Sequence, residues 1–573
     1  MTIRSMLLAA LPLFAASTAA APGRPVAAGS DLSILLTPRT VAGRVESITV
    51  RETFDVGTLP ADAPLLTLPI VYSSVPGVLR DPATLGASDA AGPLPLRMID
   101  DPVDPTGIRQ DRHWRTGRAT RGTITVTYRA DPRVITSDTR PAALIDVRTE
   151  GAGVYGSTNM LLAAPDAGWP RTVRIGWALD AMAPGSRAAT SFGDGTTVTL
   201  LDRNAFGQGY FMAGPWQRLP PAGGDGFMVY YLTPPAFDLA GAAADVAHTY
   251  RYATRFFGTP LVPFRAFMRT TERFQGGGGG GRNSFIFGTV RGESRDPDAL
   301  SQLLAHEAIH NWIGDFGGTH EGQWLTEGAT NYYAAILPYR AGHETLAEVQ
   351  RRIGEWTTDY YGNIRRTMPD DAAAAAFWTD SDAQLLPYSR GALYVAMVDA
   401  RMRAASGGRR RVDELIRPMV TAIRNGTASE AMWQTLVTKA LGARGRDEFL
   451  AMKAGRMLDL PDDLFGPCFR REARQFRRYV PGFSMKTGAD GRAVVGNVQP
   501  GSSAARIGLK PDDVILNKAD LDAAKAMPGT IVTLQVLSGD ASRALRFDPW
   551  GPAQAGYQWI LRQPTADPEA CAI

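Results

Sequence analysis

Two histidines and a glutamate stand in one short segment with a spacing that suits metal chemistry. His306 and His310 are four residues apart in HEAIH. On an α-helix both imidazoles would therefore leave the same face, one turn apart. Two imidazoles on one face suit a zinc ion, which also needs a third protein ligand and an open position for water. Glu307 follows His306 directly and can act as a general base without binding the metal.

The third ligand must come from another element. A third histidine six residues after His310 is excluded, because Phe316 stands there. Glu327, in WLTEGATNYYAAIL, is the better candidate, with sixteen residues between it and His310. Asn331 lies one helical turn after Glu327 and is predicted to orient one of the ligand histidines. His320 is interpreted as a loop residue.

Two helices must position these residues. The segment DPDALSQLLAHEAIHNWIG begins with acidic residues suited to a helix N-terminus, and its leucines recur at three-to-four spacing before Gly314 offers a stop. A chance HExxH is the alternative, but a chain with only six histidines in 573 residues produces one on the order of a few times per thousand chains. We therefore predict a site for one catalytic Zn²⁺ on His306, His310 and Glu327.

The same segment resembles a known class of enzymes. HEAIHNW followed by WLTEGATNYY resembles the gluzincin metallopeptidases, in which a glutamate is the third zinc ligand. The EGxTxYY form is most similar to the PDZ-containing glycyl aminopeptidase family, relatives of the leukotriene-hydrolase-like aminopeptidases. Those relatives usually have eighteen residues before the glutamate, so the shorter gap here predicts a trimmed loop. The resemblance implies a peptide substrate and removal of small N-terminal residues such as Gly or Ala.

A tyrosine completes the implied catalytic set. PYSRGAL resembles the YxKGAL element of the same family, whose tyrosine faces the zinc and hydrogen-bonds the oxyanion. Tyr388 is the matching residue. A phenol can donate to a developing alkoxide without having to carry charge. A tyrosine that packs on a neighbour at a helix start is the alternative.

The substrate-binding elements are predicted by analogy of fold. AAADVAHTYRYATRFFG reads as a helix and PFRAFMRTT as a strand, before the glycine-rich QGGGGGGRNSFIFGTV. Thermolysin-like domains place an edge strand beside the zinc, where it hydrogen-bonds an extended substrate. That analogy assigns the edge strand to Phe285–Thr289 and substrate binding to Phe285, Phe287 and Gly288. The glycines Gly276–Gly281 are predicted to be either a hinge or a solvated linker.

One departure from the family pattern concerns the substrate's amino group. Aminopeptidases of this clan hold the free amine with a glutamate in a GxMEN- or GGLEH-like segment. GGGGGGRNSF contains no acid. Glu272 could substitute, or it could be a surface charge. A zinc endopeptidase without a free-amine requirement is therefore the alternative activity.

The whole chain is predicted to be a multidomain α/β protein. Alternating segments such as RVESITVRETF and GTITVTYRAD predict an N-terminal β-sandwich-like domain over 25–240. A thermolysin-like zinc peptidase domain with a helical C-terminal part follows over 241–478. Its last segment, FRREARQFRRYV at Phe469–Val480, is predicted to be a basic helix. A PDZ domain over 479–550 and a tail over 551–573 complete the chain.

The PDZ prediction depends on AVVGNVQPGSSAARIGLKPDDVILNKADL, which resembles the core of bacterial PDZ domains. Gly501 and Gly508 would permit the tight turns. VPGFSM at Val480–Met485 stands where a PDZ loop captures a peptide C-terminus through its backbone amides. A PDZ-based peptide-binding protein with a vestigial metal site is therefore a second class of function.

Composition and the chain ends bear on compartment. The net charge of +4 over 573 residues does not favour nucleic acid. Residues 1–20 read as a signal peptide with a positive end, an apolar stretch and small residues. A periplasmic or secreted location follows, with no integral membrane segment after cleavage, since no other segment is apolar for about eighteen residues. Cys468 and Cys571 could form a disulfide there.

Overall fold

A computed structural model describes residues 31–79, 81–103, 107–136, 139, 143–224, 226–272, 278–314, 316, 322–377, 380–488, 492–525, 527, 529–562, 571 and 573. The predicted signal peptide and His320 lie outside these residues. Two compact units divide the chain, one over 7–319 with 422–427 and the other over 320–421 with 428–573. The domain boundaries proposed from the sequence stay predictions.

The first unit is β-rich from its first described residue. Strands β1–β9 are Leu32–Val41, Arg44–Phe54, Pro64–Tyr72, Val75–Pro76, Gly86–Asp89, Gly92–Pro93, Leu96–Asp100, Arg109–Thr116 and Ile124–Ala130, with a 3₁₀ turn at Pro82–Thr84. Strands β10–β18 are Arg148–Glu150, Gly153–Ser157, Ala164–Pro165, Arg171–Trp177, Arg187–Thr190, Gly193–Asp194, Thr197–Leu201, Tyr210–Gly214 and Gln217–Leu219. Short helices are α1 (Thr158–Leu161) and α2 (Arg203–Gly207).

Strands β1–β17 form three sheets around one apolar core. Their orders are β16-β13-β1-β2-β9-β5-β6, β10-β11-β17-β14-β15 and β12-β3-β8-β7. Along β1 buried and exposed residues alternate, so one face of the strand enters the core. The predicted β-rich N-terminal region is therefore confirmed.

A mixed sheet follows the β-rich region in the same unit. Its elements are β19 (Phe227–Tyr231), α3 (Leu239–Phe256), β20 (Phe264–Thr271), β21 (Gly278–Gly281), β22 (Ser284–Val290) and α4 (Pro297–Ile309). The sheet order is β18-β19-β20-β22-β21, and the last pair is antiparallel. Among the described strands β18 and β21 are therefore the edges, and the prediction that Phe285–Thr289 forms the edge is wrong for Phe285–Phe287, which pair with β21.

The glycine run is a paired strand where the structure describes it, not the predicted hinge or linker. A Cβ on Gly278 would lie 2.3 Å from the Phe285 ring, and one on Gly281 would lie 2.5 Å from the Gln208 carbonyl oxygen. Only glycine fits such close approaches without moving the neighbouring chain. Gly276 and Gly277 lie outside the described residues.

The second unit is helical over most of its length. Its helices are α5 (Gln323–Arg340), α6 (Leu346–Tyr361), α7 (Asp370–Ala375), α8 (Ser381–Ser406), α9 (Asp413–Arg424) and α10 (Glu430–Lys453). The end of α9 and the residues directly after it, 422–427, belong to the first unit. The predicted helical C-terminal part is therefore confirmed up to Lys453.

The segment predicted as a basic helix is a strand instead. Strand β23 (Phe469–Phe476) pairs antiparallel with a strand from the predicted tail, Gln554–Leu561. The guanidinium of Arg471 lies 4.2 Å from the centre of the Tyr557 ring on that partner strand. Local sequence could not show this pairing, because the partner comes about eighty residues later. Next to this ribbon, Cys468 and Cys571 form the predicted disulfide, with a Cα–Cα distance of 5.4 Å.

A small module lies in sequence between the two ribbon strands. It contains β24 (Phe483–Thr487), β25 (Ala493–Val498), α11 (Ser503–Arg506), β26 (Val514–Ile515), α12 (Lys518–Lys525), β27 (Val532–Ser538) and β28 (Ala541–Phe547), after which the ribbon strand is β29. The sheet order is β24-β25-β26-β27-β28, around an apolar core of its own. Gly501 and Gly508 have φ of +73° and +77°, as the predicted tight turns require.

None of the helices in the described part of the chain is both long enough and apolar enough to cross a lipid bilayer.

Candidate metal centre

The histidine pair lies at the C-terminal end of α4. Asp296 caps the helix start by accepting from the Asp298 N–H, His306 occupies the last turn, and His310 is the C-cap residue. The two Nε2 atoms are 3.1 Å apart. Nδ1 of His310 lies 3.0 Å from the Ile313 carbonyl oxygen. Because a carbonyl can only accept, Nδ1 carries the proton and Nε2 is left to bind a metal.

Residues directly after α4 fasten its end to α3 and the loop beyond it. Nε1 of Trp312 donates to Thr259 Oγ1 at 2.8 Å, and the indole stacks on Phe257 at 5.3 Å. Nδ2 of Asn311 donates to the Tyr250 hydroxyl at 3.2 Å. The NW dipeptide after HEAIH therefore holds the ligand-bearing end of the helix in place.

Glu327 is buried in α5, and its carboxylate completes the predicted set. The ligand atoms of His306, His310 and Glu327 all lie within 4.8 Å of one another. Two nitrogens bound to one tetrahedral zinc at about 2.0 to 2.1 Å are about 3.3 Å apart. The separation of the two imidazoles, the tautomer of His310 and a single carboxylate all fit one zinc ion. The structure thus brings together all three residues predicted as zinc ligands.

Two glycines, which the sequence did not indicate, set the positions of Glu327 and Tyr388. Gly328 on α5 faces Gly391 on α8. A Cβ on Gly391 would lie 2.1 Å from the Trp324 carbonyl oxygen, and one on Gly328 would lie 2.4 Å from Gly391. The two helices therefore approach backbone to backbone at the points that carry Glu327 and Tyr388. Small residues spaced on two helices are the only sequence signal of such an approach.

Tyr388 and Asn331 are joined by this helix pair. Tyr388 lies inside α8, not at its start, and is 7% exposed. Nδ2 of Asn331 donates to the Tyr388 carbonyl oxygen at 3.3 Å. This bond ties α5 to α8, and the predicted orientation of a histidine by Asn331 stays a prediction.

Glu430 holds the start of α5, and the sequence did not indicate this residue either. Gly322 precedes the helix and has no side chain to cap it. The Glu430 carboxylate takes this place by accepting from the Gly322 N–H at 3.2 Å and from Trp324 Nε1 at 2.9 Å. A negative charge at this end also suits the helix dipole. Lys453 Nζ binds the same oxygen at 2.8 Å; burial lowers the pKa of this lysine, but its acidic partners Asp370, Asp371 and Glu430 outweigh that and hold the pKa above its ordinary value.

The residues predicted to bind substrate lie elsewhere than expected. Phe285 and Phe287 are fully buried, and their rings stack 6.0 Å apart, so both pack the sheet core. The Gly288 carbonyl oxygen accepts from Arg295 at 2.6 Å. The Glu272 carboxylate is exposed and pairs with Arg291 at 2.8 Å. This pairing favours the surface-charge interpretation of Glu272.

Tyr210 is a further residue near the site that the sequence did not indicate. Its hydroxyl donates to the Gly280 carbonyl oxygen of the edge strand at 3.0 Å. Burial and the nearby Glu307 carboxylate raise the pKa of the phenol above its ordinary value. A cavity of about 510 Å³ opens beside Tyr210 and Gly280, and Leu162, Phe206 and Gln208 also line it.

Comparison with known structures identifies the fold. An aminopeptidase N family protein from Idiomarina loihiensis superposes with a TM-score of 0.68 at 16% identity, over 93% of this chain and 98% of that one. An M1 zinc metallopeptidase from Deinococcus radiodurans gives 0.43 at 16% identity, over 75% and 95%. Yeast LTA4 hydrolase gives 0.45 at 12% identity, over 74% and 67%. No family model and no curated protein sequence matches the chain.

The first of these likenesses carries the fold assignment, because it spans nearly the whole length of both chains. The fold is that of an aminopeptidase N family protein. Together with this fold, the described residues provide the His306, His310 and Glu327 group, whose ligand atoms could hold one metal ion.

Proposed function

We propose that this protein hydrolyses peptide bonds as a zinc aminopeptidase of the gluzincin type. The observation that carries the proposal is the convergence of the His306, His310 and Glu327 ligand atoms within 4.8 Å. Glu307 directly follows the first ligand and is buried on the same helix. A structural zinc site would need four protein ligands and no adjacent base.

The residues around the site have distinct tasks in this reaction. Zinc, when bound, polarises a carbonyl group and makes a water molecule more acidic. Glu307 takes a proton from the attacking water and passes it to the leaving amine. The Tyr388 phenol donates a hydrogen bond to the oxyanion that develops on the scissile carbonyl.

The edge strand β21 supports binding of an extended peptide. One of its sides pairs with β22, so a substrate strand would add at the other side, near Tyr210. Glycine residues let a peptide backbone approach closely. The neighbouring cavity of about 510 Å³ has room for a side chain larger than that of Gly or Ala. A preference for Gly or Ala, implied by the resemblance, therefore needs a direct comparison with larger residues.

The free-amine requirement is the part of the proposal most open to test. Glu272 is engaged with Arg291 at the surface, so an endopeptidase is the second candidate. Fluorogenic peptides with N-terminal Gly, Ala or Phe, each with a free or an acetylated amino group, distinguish the aminopeptidase from the endopeptidase. Each peptide is tested with and without a chelator. We expect chelator-sensitive cleavage of the free peptides only. Cleavage of both forms would establish the endopeptidase, and zinc-loaded protein that cleaves neither would contradict the proposal.

We further propose that the module from Phe483 to Phe547 is a PDZ domain. Strand β24 pairs only with β25 among the described strands, which leaves one side for an added peptide. Gly482 precedes β24 with φ of +75°, and its carbonyl oxygen accepts from the Gln499 N–H at 2.8 Å. Peptides with a free C-terminus should bind in calorimetry, and their amidated forms should not. Equal binding of both forms would contradict C-terminal capture.

We also propose export to the periplasm or the cell exterior. The disulfide between Cys468 and Cys571 supports an oxidising compartment. Fractionation of cells that express the full chain should recover a protein shortened by about twenty residues outside the cytoplasm. Full-length protein in the cytoplasm would contradict export.

A further inference from the structure

Two arginines are sealed inside the first unit beside one aspartate. Arg148 on β10 is 3% exposed and Arg269 on β20 is fully buried. Nε of Arg148 donates to Asp146 Oδ2 at 2.6 Å, and Nη1 of Arg269 donates to Asp146 Oδ1 at 2.9 Å. Asp146 also accepts from Arg133 Nη1 at 3.1 Å. One carboxylate therefore serves three guanidinium groups.

Most of the donor capacity of the two buried arginines is unused. Nη1 and Nη2 of Arg148, and Nε and Nη2 of Arg269, are buried and have no hydrogen-bond partner among the described residues. Buried polar atoms in proteins are nearly always paired, and an exception indicates an ordered water or an ion. For the N–H groups of a charged side chain, the cost of remaining unpaired is higher still.

The charge around this pair is also unbalanced. Asp146 is the only carboxylate that either buried guanidinium contacts within the described part of the chain. Glu150 on β10 is also buried, but its Oε2 accepts from the Thr270 N–H at 2.7 Å and not from an arginine. Burial raises the pKa of Glu150, which weakens its ability to offset the positive charge. A water molecule would satisfy hydrogen bonds here, but it would leave the excess charge in place.

We propose that Arg148 and Arg269 form a buried binding site for a monovalent inorganic anion of about the size of chloride. Their four unpaired nitrogens would hold the anion, and its charge would balance the second guanidinium. The site borders the Tyr155 ring, whose centre lies 5.7 Å from the Arg269 guanidinium. It does not depend on the proposed peptidase function.

Bromide tests the site directly in the unaltered protein. Crystals of the full chain grown in sodium bromide should show an anomalous peak within hydrogen-bond distance of Arg148 and Arg269. In solution, the Tm should be about 2 to 4 °C higher in chloride than in gluconate at equal ionic strength. Water without anomalous signal at this position, together with equal Tm values in both salts, would overturn the proposal.

A variant pair assigns the salt effect to this position. Arg148→Gln should remove both the bromide peak and the difference in Tm between chloride and gluconate. Arg39→Gln, which removes an exposed arginine paired with Glu46, should keep both. A chloride effect that persists in a folded Arg148→Gln protein would place the anion elsewhere and overturn the proposal. Should Arg148→Gln fail to fold, the bromide measurement on the unaltered protein still decides.

Discussion

Helices α4 and α5 both carry members of the His306, His310 and Glu327 group, but they are held by different kinds of contact. In α4 the ligands stand at the C-terminal end, and Asn311 and Trp312 fasten that end from the next two positions after His310. In α5 fifteen of the eighteen residues are buried, and the ligand stands near the N-terminal end. That end depends on Glu430 and Gly391, which come from other helices. Local sequence therefore builds one half of the ligand set, and tertiary packing builds the other.

The largest expected effect tests the role of Glu307 as a base separately from zinc binding by the histidines of α4. Glu307→Gln removes the base but keeps the size of the side chain. We expect kcat/KM to fall by about 10² to 10⁴-fold, because general-base catalysis supplies a factor of that order. Zinc content, measured by mass spectrometry, should stay unchanged. Glu46→Gln, at an exposed ion pair, is the matched control. A Glu307→Gln protein with normal turnover would mean that another group is the base.

The second-largest expected effect tests whether Gly391 on α8 determines the position of α5. Gly391→Ala places a Cβ 2.1 Å from the Trp324 carbonyl oxygen, so α5 and α8 must separate. We expect a loss of about 3 kcal/mol in the free energy of unfolding and a lower zinc affinity. Gly86→Ala, whose Cβ would meet nothing within 4 Å, is the control. Unchanged zinc affinity in Gly391→Ala would show that the helix contact does not position Glu327.

The two helix anchors can be compared directly by conservative substitutions. Glu430→Gln removes the charge at the start of α5, and Lys453 keeps its ion pairs with Asp370 and Asp371. We expect it to cost about 2 kcal/mol in the free energy of unfolding, since a charged group is lost. Thr259→Val removes the hydroxyl that accepts from the Trp312 indole at the end of α4 and should cost about 1 kcal/mol. Denaturant unfolding gives both values, and the reverse order would contradict the distinction drawn between the helices.

The smallest expected effect is a change of stability with pH, confined to the unit that contains α4. Burial raises the pKa of Glu52 to about 8, and the acid accepts from the Tyr128 hydroxyl and the Ala163 N–H. A raised pKa favours the protonated folded form. The contribution to stability is therefore complete below about pH 4.5 and is lost as pH rises through about 8. Between pH 7 and 9 we expect a loss on the order of 1 kcal/mol.

Hydrogen exchange can locate this pH effect. Protection of amides in the unit with α4 should fall between pH 7 and 9 by more than intrinsic exchange predicts, and protection in α5 should not. Glu52→Gln keeps a neutral group in place and should abolish the difference. An equal fall in α5, or persistence of the effect in Glu52→Gln, would show that Glu52 is not its source.

The sequence predicted some features of this molecule and missed others for identifiable reasons. Strand alternation such as that of β1 and the four-residue spacing of the histidines are local periodicities, so they could be read directly. The sequence predicts a helix at β23, because its partner β29 lies far along the chain and its many arginines obscure the alternation of apolar and polar residues that a strand would show. The edge strand was placed on Phe285–Thr289, because pairing of the glycine run with β22 left no signal in residue type.

The predictions of the ligands, the metal and the base follow from the sequence alone, because residue type and spacing determine which donor atoms can reach one ion. The tertiary structure alone determined how those donors are held. Gly328 and Gly391 let two helices approach, Glu430 replaces a missing cap, and Tyr210 lies near both the edge strand and Glu307. Each of these contacts joins residues that are distant in the chain. Their effect is set by the space and charge that surround them, which no local pattern records.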